Sequence, residues 1–354
     1  MILNFNKVED NYYKSIETLN LCYLDIMYYK DTSRFTEYEK KHNITRLKNT
    51  PQYPFYLTIK LLVKPAKQSS LKIINELEQL KTHLTEEYYC IFLLAKGCYY
   101  RLSEDFEKSI ISFTEGLDYK SNKFIQSMLY YNRANSHLLL NQYYAASNDL
   151  ETAKDLFEKC LSIRRVISCM NSKAILLILN NNNLDAIDIL KNGLNIANYL
   201  KEPYLNFEMT NNLVLALIGC EQFNEGLLHT KALLEFEKKT SSSFFYEIYC
   251  TFRLDQINEC QQLISHFLHE NHLFNKNDYI CQIIILIDYI INDENSKVIE
   301  KQLLKCYKMV QLSSDHVIKV LILKLLTDFY KKQKSYKKSL FYSEELRILT
   351  SQKL

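Results

Sequence analysis

Among side chains able to do chemistry, the asparagines come closest to a pattern. Asn132, Asn135, Asn171, Asn211 and Asn212 recur over three successive segments, with Asn171 and Asn211 forty residues apart. Asparagine is a mediocre helix former, because its amide competes for backbone hydrogen bonds. Its return inside apolar helical patterns therefore points to a use. A side-chain amide offers two donors and an acceptor, which match the main-chain N–H and C=O groups of an extended peptide. The chain is Asn-rich throughout, and that composition would also produce some of the recurrence.

Other chemistry has little to stand on. There is no G-x-x-x-x-G-K-[ST] or G-x-G-x-x-G phosphate loop, no G-x-S-x-G elbow and no H-E-x-x-H zinc helix. His266, His269 and His272 form the one histidine cluster. Spacing of three puts the first two on one helix face, where a metal is conceivable. The same residues also suit a solvated helix C-terminus, whose dipole favours cations. No metal, cofactor or catalytic residue is assigned, and the chain is read as a binding protein, not an enzyme. The ten cysteines include no C-x-x-C pair, and most sit inside apolar helical patterns. They read as reduced core thiols of a cytoplasmic protein.

Composition excludes several fold classes as the frame for these residues. Only five Gly, four Pro and no Trp occur in 354 residues, too few for folds built on tight turns. Hydrophobic residues make up 47%, and the charges nearly cancel at +3, so nothing demands nucleic acid or a membrane surface. The N-terminal MILNFNKVEDNYY has acids where a signal peptide needs an apolar run. The apolar stretches Ile280–Ile291 and Val317–Leu326 fall short of the roughly 20 residues of a membrane span. Arg164, Arg165 and the run Lys331–Lys338 read as solvated helix ends or repeat turns.

One template repeats. Gly97, Ser109 and Gly116 are followed by Ala134, Ala146 and Ala153, then Ala174, Ala186 and Gly193, then Val214, Gly226 and Leu233. The shifts are 37, 40 and 40 residues, and four of the five glycines fall on the template. Three residues before the second small position stand Phe106, Tyr143, Asn183 and Phe223, an aromatic plug in three copies of four. In the first copy the helix break is placed at Ser103, read as an N-cap ahead of Glu104 and Asp105. Weaker copies are read at Asp255–Leu268 and Asn292–Val310, and near the C-terminus with Tyr336 at the plug position and Ser339 at the small position. Helical hairpins are also read upstream, at Tyr12–Tyr29 with Ser33–Lys41, and at Gln52–Leu62 with Ser69–Leu84. A soft boundary near residue 85 separates an N-terminal segment, 1–85, from a repeat domain, 86–354. Residues 1–60 show no basic helix-turn-helix, so direct DNA binding by this chain is not expected.

The small, aromatic and small positions of residues 88–235 resemble the tetratricopeptide repeat. The resemblance implies an all-α, right-handed superhelix of about eight or nine helical hairpins. It also implies that the first helix of each repeat lines a concave groove. Carried onto this chain, the groove positions are Tyr131, Asn132 and Asn135, then Ser168, Asn171 and Ser172, then Glu208, Asn211 and Asn212. The cationic clamp of chaperone-docking repeats is absent, since its fifth positions are Leu94, Tyr131, Asn171 and Asn211. A long array with groove asparagines resembles the peptide-pheromone sensors of Gram-positive bacteria, the Rap, Rgg, NprR, PlcR, PrgX and arbitrium-receptor group. What that implies is a cytoplasmic quorum-sensing receptor for a short peptide, homodimeric, signalling through a partner or transcription. The alternative is a protein–protein scaffold with no peptide ligand, using its 27 tyrosines.

Overall fold

The fold follows from close helix contacts repeated along the chain. The computed structural model describes residues 14–42, 44–48, 50–65, 69–235, 240–269, 275–313 and 315–351. Among them there are helices and no strand. The chain divides into two compact units, Met1–Ser162 and Ile163–Leu354.

In the first unit, a helix described from residue 14 ends in a wide π-turn at Asp25–Tyr29. There follow α1 (Ser33–Lys41), α2 (Tyr53–Val63), α3 (Ser70–Gln79), α4 (Glu86–Leu102), α5 (Phe106–Leu117), α6 (Lys123–Leu139) and α7 (Tyr143–Lys159). One apolar core runs from Leu19 through Phe35, Tyr56 and Leu77 to Ala95. The second unit holds α8 (Ile163–Leu179), α9 (Asn183–Tyr199), α10 (Pro203–Gly219), α11 (Phe223–Glu235), α12 (Ser241–Arg253), α13 (Ile257–His269), α14 (Tyr279–Ile291), α15 (Ser296–Gln311), α16 (His316–Lys332) and α17 (Tyr336–Ser351). Its core is built largely from α8, α10, α12, α14 and α16, with inward residues of their partners.

From α4 onward each odd-numbered helix packs on the one before it. The turn inside each such hairpin is made the same way. Glu104, Asn141, Asn181, Glu221, Asp255, Asp293 and Lys334 all take positive φ, between 51° and 62°. The N–H of the next residue donates to a carbonyl five residues back, at 2.8 to 3.1 Å. This is the Schellman closure that satisfies the orphan carbonyls of a helix end. Four of the seven residues are Asn or Asp, which tolerate the left-handed region better than other side chains.

Glycine makes none of these turns; its place is between helices. A Cβ on Gly97 would lie 2.3 Å from the ring of Phe113, and one on Gly193 would lie 2.2 Å from the methyl of Met209. Each left-handed residue stands seven positions after the small residue of its first helix. By that measure the register continues past residue 235 through Ile248 with Cys260, Leu286 with Val298, and Thr327 with Ser339. Ser109 Oγ donates to the Gly97 carbonyl at 2.9 Å, and Ser339 Oγ to that of Thr327 at 3.1 Å. Cys260 Sγ makes the equivalent contact with Ile248 at 3.5 Å.

Two local expectations are corrected. Ser103 caps the end of α4, and Asp105 is the N-cap of α5, its carboxylate accepting from the Lys108 N–H at 3.3 Å. Glu104 is the left-handed residue between them, so the break falls two residues later than the serine signal indicated. Tyr336 is not a plug: it is 67% exposed, while Ser339 is buried as expected. The beginning of the first hairpin, residues 12–13, lies outside the described residues.

Seven of the ten cysteines are buried. Burial pushes the thiols of Cys250, Cys260 and Cys306 up to about 12, so they stay protonated in the core. Among the described residues no helix is long and apolar enough to cross a membrane.

Candidate functional site

Four of the expected groove residues meet in one place in the second unit. Asn171 and Ile175 of α8, Phe207, Glu208, Asn211 and Asn212 of α10, and Thr240 and Ser242 at the start of α12 line a cavity of about 350 Å³. Asn212 Nδ2 donates to Asn171 Oδ1 at 2.8 Å, joining neighbouring first helices across it. The Tyr246 hydroxyl, close to the Asn211 amide, keeps its proton through burial and the Asp315 carboxylate. Tyr279 donates to Asp315 at 3.2 Å. A run of amide, phenol and carboxylate groups thus crosses the first helices of this unit.

The local sequence explains why these groups stand together. Asn171 and Asn211 lie three residues before the small positions Ala174 and Val214, which fix how closely the helices approach. Thr240 is the N-cap of α12, accepting from the Ser243 N–H at 3.2 Å. Among the described residues, Glu208 is the only charged one in the lining. The cavity therefore offers hydrogen bonds of both senses, one negative charge, and apolar contact from Ile175 and Phe207.

The other expected residues do not join it. Ser168 Oγ donates to the Arg164 carbonyl of its own helix at 3.2 Å. In the first unit, Tyr131 is half-buried with its ring edge-on to Phe157, 6.4 Å between centroids. Asn132 is buried, its Nδ2 donating to the Met128 carbonyl at 2.7 Å and its Oδ1 accepting from the Cys98 thiol. It belongs to a polar seam with Ser136 and Ser109, whose hydroxyls lie 2.9 Å apart. Asn135 is half-buried on the same helix.

Sequence reasoning missed Ile175, Phe207, Thr240, Ser242 and Tyr246. Tyr246 stands at the position of Asn212, two before its small residue, but the repeat length drops there from 40 to 34 and Ile248 replaces the small residue. The run TSSS at 240–243 was the available signal, since it supplies a helix N-cap. Of the histidine cluster, His266 and His269 are exposed on α13, and His272 lies outside the described residues. Among the described residues no group of three or more His, Cys, Asp or Glu could hold a metal ion.

No family model matches the chain, and no curated protein matches it. Solved structures share its fold. One is a Rap protein complexed with competence and sporulation factor, with a TM-score of 0.71 at 15% identity over 95% of this chain and 97% of that one. Another is the apo form of the quorum sensor NprR from B. thuringiensis, with a TM-score of 0.72 at 12% identity over 97% and 100%. A third is NprR in complex with its cognate peptide NprX, with a TM-score of 0.62 at 12% identity over 94% and 98%. The similarity runs over nearly the whole of each chain. The chain has the all-helical repeat fold of Rap- and NprR-like proteins.

Proposed function

We propose that this chain is a regulatory receptor that binds a short peptide at the cavity between α8, α10 and α12. One observation carries the reading: Asn171, Asn211 and Asn212 converge there with Glu208. An extended peptide can exchange the Asn212–Asn171 bond for bonds from its own backbone. Among the described lining residues the one charge is the Glu208 carboxylate, which favours a peptide that brings a positive or neutral group. Support comes from fold likeness to NprR in complex with its cognate peptide NprX and to a Rap protein complexed with competence and sporulation factor.

The reading includes a non-enzymatic, cytoplasmic homodimer with degenerate repeats or linker helices in 1–85 and the sensing repeats in 86–354. Output passes to a partner, and this chain does not itself contact DNA. The scaffold alternative draws on exposed tyrosines such as Tyr144, Tyr199 and Tyr336.

Native mass spectrometry of the full chain captured from its host separates the two. A short peptide that is retained by the wild type and lost from Asn171→Ala/Asn212→Ala supports the receptor. Each lost hydrogen bond is worth about 0.5–1.5 kcal/mol, or roughly threefold to tenfold in Kd. Peptide retained equally by both proteins, or only a folded protein partner in either, would sink it.

A further inference from the structure

A different surface of the second unit carries a row of unpaired charge. Helix α15 presents Lys297, Lys301, Lys305 and Lys308, all exposed. At 3.6 residues per turn these four fall within an arc of about 80° and make one row about 16 Å long. Like charges four residues apart weaken a helix, and a glutamate at 301 would have joined both of its neighbours. Elsewhere some exposed cations are neutralised at three- or four-residue spacing, as in Lys41–Glu37, Lys154–Glu158 and Arg347–Glu344. The one carboxylate of α15, Glu300, lies off the row and pairs with Lys338 at 2.9 Å. Among the described residues no carboxylate pairs with the four lysines; Lys305 instead donates to Gln282 Oε1.

The row borders a concave surface of about 840 Å³ that also contains Tyr289, Val298, Gln302 and Leu304 and, among the described residues, no carboxylate. The sequence shows the same segregation on a larger scale. Residues 296–338 hold eleven lysines, no arginine and three carboxylates (Glu300, Asp315 and Asp328), a net of +8. The whole chain carries +3, which leaves −5 for the rest.

We propose that this lysine row is a docking site for an acidic amphipathic helix of a partner protein. Charge complementarity sets the partner's sign, and Val298, Leu304 and the half-buried Tyr289 offer its apolar stripe a floor. A straight row three turns long matches a helix carrying acids at every turn. Nucleic acid fits less well, because phosphate recognition uses arginine forks and backbone N–H groups, and single strands add exposed aromatic platforms. This surface lacks those arginines and platforms. The proposal stands apart from the peptide cavity and does not depend on it.

The test uses the full chain and fluorescence anisotropy. The probes are a labelled synthetic helix of about four turns with glutamates matching the row and leucines matching the floor, the same helix with lysines for glutamates, and a DNA oligonucleotide of equal length. We expect saturable binding of the glutamate helix alone, falling as salt is raised. Lys301→Glu/Lys305→Glu should weaken that binding at least tenfold. Its reversals place glutamates beside Lys297 and Lys308, so α15 should remain folded, which circular dichroism checks. The proposal is overturned by no saturable binding, by equal affinity for the double variant, or by tighter binding of the oligonucleotide. It is also overturned if sedimentation shows self-association that the double variant abolishes, because the row would then meet a second copy of this chain.

Discussion

The two units put the same residue type to opposite uses. In the first, Asn132 sits two residues before the small position Ala134 and is sealed between helices, bonded to Met128 and Cys98. In the second, Asn212 sits two residues before Val214 and stays half-exposed at a cavity, reaching Asn171 on the neighbouring helix. Position in the repeat is shared; the surroundings are not. Ser109 and Ser136 give the first unit a polar seam that draws the amide inward. The second unit has Ala186 and Gly226 at the position of Ser109, and the amides there meet across the inner helices instead. A repeat template therefore assigns a residue to a helix and a level, while its neighbours decide whether it is structural or available.

The largest expected contrast concerns the glycines that set helix approach. Gly97→Ala would push a methyl into the fully buried ring of Phe113, which has no flexible end to yield. We expect a loss of about 1–3 kcal/mol from overpacking, less the propensity that alanine returns. Gly193→Ala meets the terminal methyl of Met209, a side chain that re-rotates readily. It should come out near neutral. Urea unfolding of both variants, with hydrogen exchange to locate the loss, checks this. Equal destabilisation would mean that the two units are packed with the same rigidity.

The asparagines sharpen the comparison at smaller amplitude. Asn132→Ala removes a buried amide and should cost about 1–2 kcal/mol of stability. Asn212→Ala opens onto a cavity that water can enter, so its cost should stay within about 0.5 kcal/mol. The peptide-binding reading adds that only the second variant loses ligand. Thermal unfolding of the two proteins, run beside peptide retention, would show whether stability and binding separate in this way. A larger stability loss at Asn212 than at Asn132 would reverse the assignment.

Much of the fold was legible because the cost of a bulky side chain between helices is severe. Gly97, Gly116, Gly193 and Ala174 announce the repeat wherever such contacts are closest. Beyond residue 235 the same contacts are made by Ile248 with Cys260 and by Thr327 with Ser339, so the small-residue signal thins and only Ser339 was read from it. What persists there is the left-handed turn residue, and at Lys334 even that is chemically ordinary. The cavity was half legible: Asn171, Glu208, Asn211 and Asn212 were in reach of the template, whereas Tyr246 was hidden by the shortened repeat. Ser103 misled because a good N-cap residue also serves as the last residue of a helix when the next one turns left-handed.

Buried carboxylates give the smallest contrast and the one with a pH signature. In the first unit Asp149 is buried against Arg133, which donates two hydrogen bonds to it at 2.7 and 2.8 Å. In the second, Glu247 is 7% exposed and its Oε2 makes no hydrogen bond. Burial, and then the nearby Glu259 carboxylate, hold its proton, with Lys231 and His266 acting weakly in the other direction. A group whose pKa is raised on folding contributes stability that is complete below its unfolded pKa and is lost as pH rises through the folded value. The wild type should therefore lose stability from about pH 4 upward. Glu247→Gln keeps a neutral side chain of the same shape and lacks that loss. Chemical unfolding should show the two proteins nearly equal near pH 4 and the variant ahead at neutral pH, by a margin of order 1 kcal/mol. A difference that does not change with pH would mean that Glu247 is already charged in the folded protein and has a partner, so that both units pair their buried acids.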